Sequence, residues 1–205
     1  TVTVGGNVTT TTANFASGVT YVAPVAQIST LVFSGASFDA VDMWAITLNA
    51  GVLSSDGATA RTLTNAVVIG GAVVLGDAVK SGTLTLSGTV DLGAGATVTV
   101  ASDVVLGGAV ASTGTLTKAG TGTLRLAGTS VVSSAVTVTA GHLTNNGMIN
   151  GPVSVAAGGQ LGGSGRLNGP LTVAGNLGWN AADFLSTGLF DAGAYNAPPD
   201  RKSVV

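Results

Sequence analysis

Short runs in which apolar and small polar residues alternate recur along most of this chain. Clear examples are residues 83–86, 97–100 and 136–138, where Leu or Val alternates with Thr. A period of two with β-branched residues predicts strands that turn Leu or Val to one side and Thr or Ser to the other. The one stretch with a helical pattern is Asn180 to Leu189. The chain is therefore predicted to be all-β.

Internal repetition indicates how these strands are arranged. The segment Thr83–Thr89, Thr-Leu-Thr-Leu-Ser-Gly-Thr, returns forty residues later as Thr123–Thr129. Related segments beginning at Thr137, Ser154 and Thr172 follow one another at spacings of 17 and 18. An offset of forty is then two coils of about 20 residues. The pattern predicts a right-handed parallel β-helix, a solenoid with roughly 17–20 residues per coil. An antiparallel sandwich is the alternative, but it does not predict these spacings.

The β-helix interpretation assigns specific residues to the interior. The residues expected in the internal ladders are Leu84, Leu86, Val98, Val100, Leu124, Leu126, Val138, Val155 and Val173. Glycine is expected at the corners between strands, because it adopts positive φ without strain. On the assumption that a lumenal charge has no partner, Val138→Asp is predicted to destabilise the fold strongly and the outward Thr137→Asp hardly at all.

Composition removes several functional classes. The chain has 205 residues, no cysteine, seven Lys plus Arg, nine Asp plus Glu and a net charge of −2. A disulfide scaffold and a thiolate metal site are excluded, and a basic nucleic-acid binder is disfavoured. Mean hydropathy is +0.56, yet no apolar window approaches the about 20 residues of a spanning helix. The chain is thus predicted not to span a membrane, and without a leader or initiator Met it is interpreted as a fragment.

One segment resembles a known repeat family. Residues Leu116 to Gly128 read Leu-Thr-Lys-Ala-Gly-Thr-Gly-Thr-Leu-Arg-Leu-Ala-Gly, and Thr137 to Leu143 read Thr-Val-Thr-Ala-Gly-His-Leu. These two segments resemble the halves of the passenger-associated strand repeat of bacterial autotransporters. The Gly-rich stretch Ala157 to Gly165 is similar to the coil that follows in that family. Taken together, the likeness covers most of residues 45–178.

This resemblance implies a setting and a role. It implies export from a Gram-negative bacterium, an extracellular or cell-surface location, and a stalk or adhesin-like passenger whose parent protein can carry a C-terminal outer-membrane barrel. We accordingly expect β-helical passenger-type repeats over 1–178, less regular over 1–44, and an irregular C-terminal segment over 179–205. Residues 200–205 break the composition abruptly and are interpreted as a foreign tail, with a solvated loop as the alternative.

Catalytic and metal-binding chemistry is sparse in the sequence. His142 is the single histidine, and its repeat counterparts are Gln160 and Asn176, so an outward polar position is expected. Asp39 and Asp42 are the closest carboxylate pair. The other aspartates considered are expected to be turn residues, namely Asp56, Asp77, Asp91 and Asp103. No catalytic, cofactor-binding or metal-binding residue is predicted, and no cofactor.

The chain also contains three short Gly-x-Gly strings and two groups of aromatic residues. The strings at Gly93, Gly120 and Gly163 lack a full phosphate-binding fingerprint and are expected to form corners. Aromatic residues occur only near the two ends, at Phe15, Tyr21, Phe33, Phe38, Trp44, Trp179, Phe184, Phe190 and Tyr195. They are expected to cover irregular coils, or alternatively to stack on sugar rings.

These observations leave three hypotheses for the function. A structural, adhesin-like stalk is preferred. A module that binds host or matrix glycans or proteins is the alternative, followed by a polysaccharide-cleaving β-helix enzyme.

Overall fold

The computed structural model describes residues 46–177, except positions 56, 94, 113 and 128. It also describes the backbone of short strands between Val2 and Phe38 and at Tyr195–Asn196. The described secondary structure is all β, and every strand pairing is parallel. No helix long and apolar enough to cross a bilayer occurs in this part of the chain.

The strands are short, and most are separated by a single corner or turn. In chain order they are β1 Val2–Gly5, β2 Val8–Thr10, β3 Ala13–Phe15, β4 Val19–Val22, β5 Ala26–Ile28, β6 Thr30–Phe33, β7 Ser37–Phe38, β8 Ile46–Ser55, β9 Arg61–Leu63, β10 Val67–Leu75, β11 Leu84–Leu86, β12 Val90–Leu92, β13 Ala96–Val100, β14 Val104–Leu106, β15 Val110–Ser112, β16 Leu116–Ala119, β17 Thr123–Leu126, β18 Val131–Val132, β19 Val136–Asn145, β20 Met148–Ile149, β21 Val153–Gly162, β22 Arg166–Leu167, β23 Leu171–Val173, β24 Asn176–Leu177 and β25 Tyr195–Asn196.

Pairing from coil to coil arranges the described strands in three stacks, which we call faces. The first face contains β12, β15, β18, β20 and β22, with the starts of β8 and β10. The second contains β13, β16 and β23, with parts of β8, β10, β19 and β21. The third contains β9, β11, β14, β17 and β24, with the ends of β19 and β21. The chain is therefore a parallel β-solenoid of about six turns, which confirms the predicted fold class.

The pairing register confirms the predicted coil lengths in one half of the rod and shows a longer coil in the other half. Thr97 pairs with Thr117 and Thr117 with Thr137, so the forty-residue offset is two coils of 20. Thr137 pairs with Ser154 and Ser154 with Thr172, at the predicted spacings of 17 and 18. Val67, however, pairs with Val90, 23 residues later. This coil is longer because the loop 76–83 separates β10 from β11.

The interior consists mainly of aliphatic ladders, with one residue per coil on each row. Every residue that the sequence assigned to the interior is buried, from Leu84 at 0% exposed to Val173 at 7%. The outward threonines on the same strands are exposed or half-buried, as alternation requires. Burial of these Leu and Val side chains from coil to coil supplies the main stabilisation, at about 25 cal/mol per Å² of apolar surface.

The Gly-x-Gly strings form corners, as expected. Gly95, Gly120 and Gly163 have φ of +111°, +77° and +111°, and each follows or precedes a strand. Such φ values favour glycine over residues that carry a Cβ.

Candidate functional site

A lysine lies inside the solenoid. Lys118 is 0% exposed and occupies an inner ladder between Val98 and Val138 of the neighbouring coils. Sequence reasoning did not identify this residue as internal. The alternation Leu116, Thr117, Lys118 was the available signal, because it assigns Leu116 and Lys118 to the same side.

Backbone carbonyls hold the buried ammonium group. Lys118 Nζ donates to the carbonyl oxygens of Ala119 at 3.0 Å, Gly120 at 2.8 Å and Ala140 at 2.9 Å. Three donors therefore meet three acceptors, which is the full capacity of an ammonium group. Because Ala140 belongs to the next coil, the lysine connects two layers of the rod at the corner between the second and third faces.

Burial changes the acidity of this lysine. Removal from water lowers the pKa of Lys118 to about 8, from the usual 10.5. A pKa of about 8 leaves the group mainly protonated at neutral pH. The sequence-based assumption that a charge placed at Val138 has no partner in the lumen is therefore wrong, since Lys118 is the residue that pairs with Val138.

Two glycines with positive φ shape the corner at the ammonium group, and Gly141 leaves space for it. Gly120 and Gly141 have φ of +77° and +65°. A Cβ on Gly141 would overlap the carbonyl oxygen of Gly120 and would lie 2.9 Å from Lys118 Nζ. The Lys-x-Gly and Ala-Gly elements of the repeat thus form one corner, in which glycine allows the approach of lysine and carbonyls.

The outer surface of the third face carries a shallow polar groove of about 370 Å³. Its polar lining comes from adjacent coils and comprises Thr83, Asp103, Thr123, Arg125, His142, Thr144 and Asn146. Hydroxyl, amide, imidazole, carboxylate and guanidinium groups in one groove can exchange hydrogen bonds with a polyhydroxylated ligand. No aromatic residue occurs between positions 45 and 178, so this groove offers no ring for stacking.

His142 occupies the outward position that the repeat predicted. It pairs with Gln160, and Gln160 pairs with Asn176, one coil apart each time. The side chain is half-buried beside Thr123, its partner in the preceding coil.

The described aspartates have different roles. Asp77 is a turn residue, as predicted, and its Oδ1 accepts hydrogen bonds from the amides of Val79 at 2.8 Å and Lys80 at 2.9 Å. These bonds lower the pKa of Asp77. The turn prediction is wrong for Asp91, which lies in the middle of β12 and points outward.

Within the described residues, no group of three His, Asp or Glu side chains is placed to hold a metal ion.

An amide also lies in the lumen, and the sequence analysis did not anticipate it. Asn145 is 3% exposed and follows Leu126 on an inner row. Its Oδ1 accepts a hydrogen bond from Gly147 N at 3.1 Å, and its Nδ2 donates to Arg166 O at 3.3 Å. Asn145 therefore links two coils at the corner between the third and first faces, as Lys118 links two coils at the corner between the second and third faces.

Several residues singled out in the sequence lie outside the described part of the chain. They are Asp39, Asp42, Asp56, Trp44, Trp179, Phe184 and Phe190, together with 200–205. The side chains of Phe15, Tyr21, Phe33, Phe38 and Tyr195 also fall outside it.

Comparison with known proteins adds no relative. No protein-family model, curated protein or solved structure matches the chain significantly.

Proposed function

We propose that this chain is a segment of a β-helical stalk or passenger that is exposed on the surface of a Gram-negative bacterium or secreted from it. Its role in this proposal is structural and adhesin-like: the rod gives length and displays whatever it carries. The observation that supports the proposal best is the continuous register of the three faces over the described coils. Each added coil contributes the same kind of interface, so length and stability grow together.

The corner at Lys118 supports the assignment of the repeat motif to architecture. In the segment that resembles the autotransporter repeat, Lys118, Gly120 and Gly141 contact one another at the corner between two coils. Leu124 and Leu126 of the same segment are 0% exposed. The motif residues are thus explained by the folding of a coil, which is what a stalk repeat has to encode.

The surface chemistry suits a protein exposed to extracellular proteases. Five cations occur in residues 46–177, and one of them, Lys118, is fully buried. A trypsin-like protease therefore meets few accessible cleavage sites along the rod. Strand pairing on both sides of each interior strand further hinders cleavage, since proteolysis requires local opening.

The flanking genetic sequence tests this proposal. We expect further segments of 17–23 residues with the same alternation on both sides, and an export signal upstream of them. Flanks that encode an enzyme domain without an export signal would contradict the stalk proposal.

Glycan binding is the second candidate, and the polar groove on the third face favours it. Arg125 and Asp103 line that groove together with three threonines. If the groove binds sugars, Arg125→Ala should lose binding on a glycan array, while Lys80→Ala, in a turn outside the groove, should retain it. Equal binding by both variants, or no binding by the unmodified chain, would contradict this candidate.

A further inference from the structure

A single row of side chains points outward from the first face. The outer row is the part of it on five successive coils, namely Asp91, Ala111, Val131, Met148 and Arg166, which are paired in register. Before Asp91 the same line of positions continues with the half-buried Val68 and then Thr47. All five are exposed. Their inward strand neighbours Val90, Leu92, Val110, Val132 and Ile149 are buried, and Leu167 is half-buried.

The centre of the outer row is apolar. Among the described residues, three large hydrophobic side chains are exposed: Val79 in a loop, Val131 at 40% and Met148 at 36%. Val131 and Met148 are direct neighbours, and Ala111 continues the strip on the other side. A groove of about 690 Å³ beside Val131, also lined by Ala109 and Thr129, widens the strip.

The charges of the row are arranged around Val131. Asp91 lies two coils before it and Arg166 two coils after it. Between these ends stand the small Ala111 on one side and the long Met148 on the other. At about 4.8 Å per coil, the two charged ends are about 19 Å apart.

This arrangement is self-complementary under a two-fold rotation. An axis that lies in the interface, runs along the strand direction and passes beside Val131 brings two rods together in antiparallel orientation. Asp91 then faces the partner's Arg166, and Ala111 faces the partner's Met148. Interfaces of this isologous kind use the same patch on both copies.

The parallel alternative is electrostatically unfavourable. With a two-fold axis along the rod, Asp91 would face the partner's Asp91 and Arg166 the partner's Arg166. Like charges placed directly opposite each other are destabilising. The row therefore selects the antiparallel orientation.

We propose that the outer row of the first face is the contact surface of an antiparallel homodimer. A strip of three apolar residues is small against the about 800 Å² per partner of stable complexes, so the association is weak in the isolated chain. Rods that carry such rows on several segments would associate more strongly, because the contacts then act together.

Sedimentation of the 205-residue chain tests the proposal. Between about 10 µM and about 1 mM, the range of weak transient contacts, we expect a reversible monomer–dimer equilibrium that weakens as salt is added. Asp91→Arg should weaken the dimer at least about fivefold, because it places two arginines opposite each other at both ends. The double variant Asp91→Arg/Arg166→Asp should restore the association, since it exchanges the two charges.

Two further variants test whether a loss of dimer comes from the outer row itself or only from a change in net charge. Asp103→Arg makes the same change in net charge on the third face and should leave the dimer unchanged. Val131→Lys should abolish it, because the residue on the axis meets its own copy. A chain that stays monomeric at every concentration would overturn the proposal. So would a double variant that associates no better than Asp91→Arg, or an Asp103→Arg variant that is equally impaired.

Discussion

Lys118 Nζ lies 2.9 Å from the carbonyl oxygen of Ala140, a residue of the following coil. This bond crosses from one layer of the rod to the next inside the lumen. With the bonds to Ala119 and Gly120, it balances the charge of a side chain that is fully buried. A polar corner of this kind fixes the register of two coils, because a shift by one residue would take the Ala140 acceptor away from a buried ammonium group.

The buried lysine makes stability depend on pH in a defined direction. Its pKa is about 8 in the folded chain, against the 10.5 of a lysine surrounded by water, which applies to the unfolded chain. Between these values the unfolded chain holds a proton that the folded chain has released, so raising the pH favours folding. We expect the stability of the unmodified chain, relative to Lys118→Met, to increase by about 1–3 kcal/mol from about pH 7 to about pH 10.

Urea unfolding at both pH values measures this change. Taking the difference from Lys118→Met cancels the contribution of all other titrating groups. A difference that stays constant, or that decreases with pH, would contradict the assigned environment of Lys118.

The corner glycine beside Lys118 should tolerate no side chain. In Gly141→Ala, the new Cβ would overlap the Gly120 carbonyl at a φ of +65°. We expect a loss of more than about 2 kcal/mol in the free energy of unfolding. Gly57→Ala is the matched control, because a Cβ there has no atom within 4 Å and it should change stability by less than about 0.5 kcal/mol. Thermal unfolding of both variants is the measurement, and equal shifts would argue against the described corner.

Inward and outward positions on one strand should respond oppositely to a charge. Leu86 is 0% exposed and pairs with Leu63 and Leu106, so Leu86→Asp buries a carboxylate among aliphatic side chains. We expect a cost of about 4 kcal/mol or more. Thr85→Asp, one residue away and facing outward, should cost less than about 1 kcal/mol. Leu86 replaces Val138 in this test because Lys118 is adjacent to Val138. Similar midpoints for the two variants in chemical denaturation would show that the register is wrong.

Removal of one complete coil should preserve the fold. Ala96 pairs with Leu116 and Thr97 with Thr117, so deleting residues 97–116 joins two equivalent positions of successive coils. The shortened chain should keep its β-sheet circular dichroism and unfold cooperatively, as expected when stability comes from neighbouring coils. Deleting 97–106 removes half of a coil and joins non-equivalent positions, so that chain should be unfolded. If both deletions behave alike, the stacking of interchangeable coils is not what stabilises the protein.

Much of the rod could be predicted because alternation and spacing are local signals. Leu84 and Leu124 repeat with the same neighbours, and the pairing of both with Val104 follows from that repetition. The position of His142 followed in the same way from Gln160. Lys118 escaped the prediction because its acceptor on Ala140 belongs to another coil, and a lysine is seldom buried without such partners.

The outer row was equally inaccessible to sequence reasoning. Its members are separated by 20, 20, 17 and 18 residues. Their alignment becomes visible only when the register of five coils is known. Asp91 was assigned to a turn because aspartate is common there, whereas the strand alternation of Val90 and Leu92 decides its position.

Labelling of intact cells tests the proposed role of the chain most directly. Antibodies raised against residues 46–177 would be applied to cells that produce the protein, before and after permeabilisation. We expect equal labelling of intact and permeabilised cells, or recovery of the antigen from the medium. Labelling that requires permeabilisation would contradict a surface-exposed or secreted stalk.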